Sequence, residues 1–147
     1  MPISHEVCFP ATSSHSRGIT CIALDRHFGT SLLTGSSGDY VAKIWDLSSM
    51  NKLLRPVKEF RPFPGHQVRA LSFSPDQNSS MFLCCCANNQ AAIYGRDGSK
   101  IKTTVRGDMY IQDMANTKGH VASITGGMFH PKQADIFLTS SLDGSVR

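Results

Sequence analysis

Apolar and polar residues alternate with a period of two along much of this chain. Val68-Arg69-Ala70-Leu71-Ser72-Phe73 is the clearest run, and Val41-Ala42-Lys43-Ile44-Trp45-Asp46 is another. A period of two places successive side chains on opposite faces of an extended strand. Turn-forming residues separate the runs: Gly38-Asp39, Ser74-Pro75-Asp76, Asn88-Asn89, Arg96-Asp97-Gly98-Ser99 and His130-Pro131. No segment has the 3.6-residue period of a helix. Short strands punctuated by turns predict an all-β chain.

The order of these features recurs three times. The first pass begins near Arg17, with Ile19, Cys21, Ala23 and Leu24, then Ser31 to Gly35, then Val41 to Asp46. The second opens with Gly65-His66 and continues through Val68 to Phe73, Met81 to Cys86 and Ala91 to Tyr94. Asp97-Gly98 is a strong hairpin signal, and Lys100 to Arg106 supplies a fourth strand. The third opens with Gly119-His120, with strands ending at Phe129 and spanning Ile136 to Thr139, and a further one beginning at Leu142. His66 and His120 stand 54 residues apart. That exceeds the roughly 40–45 residues of a common four-strand repeat, so the excess is placed in a long connection. The predicted division is a lead-in at 1–16, a unit at 17–62, a second at 63–106, a connection at 107–118 and a partial unit at 119–147.

Composition narrows the function classes. Of the 147 residues, 40% are hydrophobic and 18% charged, as in an ordinary globular chain. The net charge of +4 permits an acidic partner or nucleic acid without requiring either. No run approaches the roughly 18 apolar residues of a membrane helix, and Met1 to Ala11 lacks the order of a secretion signal. Cys84, Cys85 and Cys86 are consecutive, with Cys8 and Cys21 elsewhere. That spacing suits neither a zinc site nor a disulfide framework, so they read as small strand hydrophobes in a reducing compartment. No cofactor, metal, membrane or small-molecule substrate is expected. The sequon Asn78-Ser79-Ser80 and the tripeptide Arg106-Gly107-Asp108 are read as chance. Gly35-Ser36-Ser37-Gly38 lacks the Gly-Lys-Ser/Thr ending of a phosphate loop and reads as a turn.

Gly65-His66, Gly119-His120, Trp45-Asp46 and the turn aspartates Asp39 and Asp143 resemble the WD40 family. That resemblance implies a β-propeller, here incomplete, with two full four-stranded blades and a truncated third. It also implies a hydrogen-bonded network inside each blade, to which Thr34, Asp39, Trp45, His66, His120 and Asp143 are assigned. His15 stands four residues before Ile19, out of register with His66, two before Val68, and is left out. Asn88 takes the aspartate place in the second blade, Tyr94 the tryptophan place and Gly95 that of the final aspartate. A propeller has roughly 4–8 blades, and six residues past Asp143 would lie beyond Arg147, so the chain is expected to be part of a longer protein. Residues 106–120, Pro2 to Glu6, Arg96-Asp97-Gly98 and Met128 to Lys132 further resemble the WD repeat-containing protein 70 family (gastrulation-defective homologues). The acidic arm that usually precedes the propeller in that family is missing from this chain. That likeness implies a nuclear interaction scaffold tied to chromatin or genome maintenance, with a place beside cullin–RING ubiquitin ligases as an alternative. Ser48 stands where ligase-adaptor binding would call for arginine.

His120 with Asp143 has no nucleophile motif beside it, so no enzyme is expected. The candidate partner-binding loop is Tyr110, Ile111 and Met114 in the long connection. Packing between blades is the other reading of those residues. A candidate basic edge, Lys52, Arg55, Lys58, Lys100, Lys102 and Arg106, offers possible contact with nucleic acid. Alternation places Lys100 and Lys102 on one face, where charge equally serves to block strand pairing.

Overall fold

The computed structural model describes residues 14–49, 54–111, 113 and 116–147. Ten strands form three antiparallel sheets. The first sheet contains β1 (Ile19–Leu24), β2 (Ser31–Ser36), β3 (Ala42–Asp46) and β4 (Lys58–Phe60), in that order. The second repeats the arrangement with β5 (Val68–Phe73), β6 (Met81–Cys86), β7 (Ala91–Gly95) and β8 (Lys100–Thr103). The third pairs β9 (Ile124–Phe129) with β10 (Phe137–Ser141), and Val146 makes a single bridge to Ser140. Each sheet is an up-and-down meander, the form that tight hairpins impose on short alternating strands. No α-helix occurs among the described residues.

The sheets stack face to face, and strand alternation sends side chains into two separate cores. Leu33, Ala42 and Ile44 of the first sheet pack against Val68, Leu71, Phe82, Cys84, Cys86 and Tyr94 of the second. On the other side Leu83, Cys85 and Ala91 pack against Ile124 and Phe129 of the third. Strand β6 is therefore buried on both faces, which is why it reads as an unbroken apolar run. Phe82 and Tyr94, directly opposite in the β6–β7 ladder, stack at 5.6 Å, and Phe60 lies 4.9 Å from Tyr94. Burying an aromatic of this size contributes roughly 1.5–3 kcal/mol.

A polar latch joins the first two sheets at their turns. Asp25, in the β1–β2 turn, has a fully buried carboxylate. Its Oδ1 accepts from Ser79 Oγ at 2.5 Å and from His27 N–H at 3.1 Å. Arg96 spans the junction, donating to Ser31 Oγ at 2.6 Å and to the Asn78 carbonyl at 2.9 Å. Its Nη1 lies 4.0 Å from Asp25 Oδ2, which has no hydrogen-bond partner among the described residues.

Candidate interaction surface

In the first sheet the side chains of His15, Thr34, Asp39 and Trp45 form one network. His15 Nδ1 lies 3.1 Å from Asp39 Oδ2, His15 Nε2 lies 2.8 Å from Thr34 Oγ1, and Trp45 Nε1 donates to the same oxygen at 2.9 Å. The donor inventory sets the directions. A carboxylate only accepts, so Nδ1 carries the imidazole proton. An indole only donates, so the Thr34 hydroxyl accepts from Trp45 and gives its own proton to Nε2. His15 therefore belongs to this blade, correcting the expectation that its offset excluded it. The offset from strand start is four residues for both His15 and His120; His66 is the one out of step. Asp39 lies five residues after Thr34, whereas Asp143 lies four after Thr139. Tyr40 and Gly144, each directly after its aspartate, both have positive φ, of 58° and 77°.

The third sheet brings His120, Asp143 and Thr139 together in the same way. His120 Nδ1 is 3.0 Å from Asp143 Oδ2, and Nε2 is 2.9 Å from Thr139 Oγ1. Burial alone would raise the Asp143 pKa, but bonds from Ser145, His120 and Val121 outweigh it and hold the carboxyl well below the usual range. Asp39 is lowered by the same balance of burial against hydrogen bonds. With its imidazole bonded at both nitrogens, the His120–Asp143 pair is committed to holding the blade.

The second sheet does not assemble this network. His66 Nδ1 donates to the Ala87 carbonyl at 2.9 Å. Asn88 Oδ1 accepts from the neighbouring Asn89 N–H. Register places Cys84 where Thr34 stands in the first sheet, and Tyr94 where Trp45 stands. The assignment of His66 to a blade network thus fails for want of partners: a thiol and an aromatic core occupy the threonine and tryptophan places. Burial pushes the Cys85 thiol up to about 12 and Cys21 to about 11, so neither is a ready nucleophile.

The long connection is pinned at its neck. Gly107 N–H donates to the His120 carbonyl at 3.0 Å, and Arg106 bridges His120. A Cβ at Gly107 or Gly119 would collide with the facing backbone, so only glycine lets the two strands of the neck pass. Thr117 is buried and donates to the Gly119 carbonyl at 2.7 Å. Beyond this neck the loop projects. Tyr110 is 97% exposed, Met109 60% and Ile111 38%. Asp108 Oδ1 holds the Tyr110 N–H at 2.9 Å. The described apolar residues of the loop thus face solvent. Sequence reading missed Met109; Met114 lies outside the described residues.

The basic residues do not form one surface. Lys52 lies outside the described residues, and Arg55 is exposed. Lys58 Nζ donates to the Asp97 carbonyl at 2.7 Å, tying the first sheet to the second. Lys100 Nζ sits 4.7 Å over the Phe63 ring. Lys102 instead lines a groove toward the third sheet, and Arg106 reaches Met109 Sδ at 3.5 Å. The expectation that Lys100 and Lys102 share a face is corrected by a register irregularity: Tyr94 faces Lys100 and Ile93 faces Lys102, leaving Ile101 as an extra residue that breaks the alternation. Among the described residues no group of three or more His, Cys, Asp or Glu is placed to hold a metal, and no helix is long and apolar enough to cross a membrane.

Repeated antiparallel meanders, stacked, with a complete His–Thr–Trp–Asp network in the first sheet and its His–Thr–Asp part in the third, define the class as a WD-repeat β-propeller. The WD domain, G-beta repeat family matches residues 7–46 and 55–94, and the chain belongs to it. Over its whole length the chain is 38% identical to WD repeat-containing protein 70 of Xenopus tropicalis and 37% identical to the gastrulation defective protein 1 homolog of Drosophila melanogaster. It spans 22% and 21% of those two relatives, about a fifth of their length. The β-propeller domain of Myceliophteria thermophila Cps50 (Swd1) matches with a TM-score of 0.63 at 20% identity, covering 90% of this chain and 36% of that one. That likeness shows the fold.

Proposed function

We propose that this chain is a non-enzymatic protein-binding platform, and that the projecting part of its long connection, around Met109, Tyr110 and Ile111, touches the partner. The observation that carries this reading is the 97% exposure of Tyr110 on a loop whose neck is locked by two glycines. A rigid frame that displays a loop is the usual arrangement for recognition. Tyrosine is enriched among residues that dominate interface energies, and the Tyr110 backbone is held by Asp108.

The family resemblance extends the proposal to a nuclear role beside chromatin or genome maintenance, which imaging of the tagged protein in cells would test. For a place in a ubiquitin ligase this blade offers no arginine. Ser48 instead donates both its N–H and Oγ–H to Asp46 Oδ1, and these bonds with those from Ser49 hold the Asp46 pKa at about 2.

The test is affinity capture from nuclear extract, with and without nuclease, comparing the natural chain with Tyr110→Ala. A protein set that survives nuclease and binds about tenfold or more weakly to the variant is expected, tenfold being 1.4 kcal/mol. Partners that vanish on nuclease treatment would transfer the function to the basic residues, beginning with the exposed Arg55 and Arg106.

A further inference from the structure

The chain has three tyrosines, and their surroundings differ. Tyr94 is buried, and its Oη donates to the Pro62 carbonyl at 3.3 Å. Tyr40 is half-buried in the turn between β2 and β3. Tyr110 alone stands in solvent, 97% exposed, beyond the neck that Gly107 and Gly119 close. Phosphoryl transfer requires a hydroxyl to enter another enzyme's cleft in line with ATP. A loop raised on a narrow neck meets that steric demand, and a phenol inside a sheet does not.

Arg106 stands at the same neck, four residues before Tyr110. Its side chain is exposed, and its Nη2 meets Met109 Sδ at 3.5 Å. A thioether is a weak acceptor, so the guanidinium fork stays open to a stronger one. Residues 109 and 110 lie in a turn. Four residues span at most about 14 Å even when fully extended, so a group carried on the Tyr110 hydroxyl comes within reach of Arg106. Asp108 lies between the two, its Oδ1 accepting from the Tyr110 N–H at 2.9 Å.

We propose that Tyr110 is a phosphorylation site for a protein tyrosine kinase, and that its phosphate is received by Arg106 and turns off partner binding by the loop. In the transfer, Tyr110 Oη attacks the γ-phosphorus of ATP. The bond from that phosphorus to the β–γ bridging oxygen breaks, ADP leaves with the electron pair, and the phenol proton passes to the kinase's catalytic base. The product carries a charge of about −1.5 to −2 at pH 7. Asp108 repels it, and the Arg106 fork matches its oxygens two at a time. A phenol is readily buried against a partner, whereas a dianion there is costly. Pairing with Arg106 also draws the ring back toward the neck. This inference rests on the reading of the loop as the partner contact and gives that contact its regulation.

The test first selects a purified tyrosine kinase domain that phosphorylates a free peptide of residues 104–118. The full chain is then treated with that kinase and ATP. One phosphate is expected, mapped to Tyr110 by peptide fragmentation, absent from Y110F, and added at a rate comparable to that of the peptide. A rate about tenfold or more below the peptide's overturns the site, because the folded loop would then withhold its hydroxyl. Phosphorus NMR of the product reads the second role. The phosphate's titration, ordinarily near pH 6, should fall lower in the natural chain than in R106A, whose unchanged Tm establishes an intact fold. Coincident titrations overturn the part given to Arg106. Phosphorylated chain should capture the nuclease-resistant proteins about tenfold or more weakly, while kinase-treated Y110F captures them undiminished. Capture indifferent to the phosphate overturns the switch. Should Tyr110 resist the kinase while capture still depends on it, the phosphorylation proposal falls and the platform reading stands. Should Tyr110 accept phosphate while Tyr110→Ala leaves capture unchanged, the modification site stands and the loop loses its place as the contact.

Discussion

Three protons link four side chains: Trp45 gives its indole proton to Thr34, Thr34 its hydroxyl proton to His15, and His15 its imidazole proton to Asp39. Each is placed so that its one available role is used. Such a network is costly to break, because the remaining members stay buried with their partners gone. His15→Ala is expected to destabilise the chain by about 1–3 kcal/mol, measured by urea unfolding followed through Trp45 fluorescence. His66→Ala removes one bond to a carbonyl and should cost less than His15→Ala. Equal losses would mean that the two histidines carry the same load, contrary to the geometry. The family resemblance pointed to the Thr34, Asp39 and Trp45 positions. It missed His15 because the residue was compared with His66, the histidine whose blade departs from the rule.

At the scale of the element, β6 shows how a run of three cysteines is spent. Cys84 and Cys86 face the first sheet with their sulfurs 3.9 Å apart, and Cys85 faces the third. Packing beside them leaves no room for added atoms. A Cβ at Gly35 would stand 2.5 Å from Val68 Cγ1, and one at Gly127 would stand 2.5 Å from Cys85 Sγ. A Cβ at Gly126 would meet only Ser140 Oγ, at 3.3 Å. Gly35→Ala and Gly127→Ala should each cost about 1–3 kcal/mol through overpacking, with Gly126→Ala the milder control, compared by thermal melts. Alternation in the sequence foretold the opposite faces of the triplet. The closeness of the glycines was not readable, since it depends on which sheet packs on which.

Across the whole molecule, buried carboxylates tie distant segments of the chain together. Asp25 joins the first two sheets, while Asp39 and Asp143 anchor their blade histidines. In each, burial works against ionisation, but hydrogen bonds, led by Ser79, Ser36 and Ser145 respectively, win and lower the pKa. A group whose folded pKa is depressed binds more protons when unfolded. Its stabilisation is present above the unfolded value, about 3.9 for aspartate, and is lost as pH falls through the folded one. Stability from these groups should therefore hold between pH 7 and 5 and decline steadily below about 4. A pH series of Tm values checks this, with Asp143→Asn expected to flatten the acid limb. A Tm unchanged from pH 5 to 3 would contradict the assignment of these carboxylates as anchors.

The all-β class, the number of strands in each unit, the turn positions and the family were written in local pattern. Period-two alternation and turn chemistry act over a few residues, and no long-range contact is needed to read them. Three-dimensional packing decided the rest. It recruited His15 from the segment ahead of the first strand and withheld partners from His66. It turned Lys100 and Lys102 apart through one irregular register, and built the Asp25–Ser79–Arg96 latch from three separate turns. It also raised Tyr110 into solvent on a neck that only two glycines permit. Those outcomes depend on which surfaces meet, and no window of neighbouring residues carries that information.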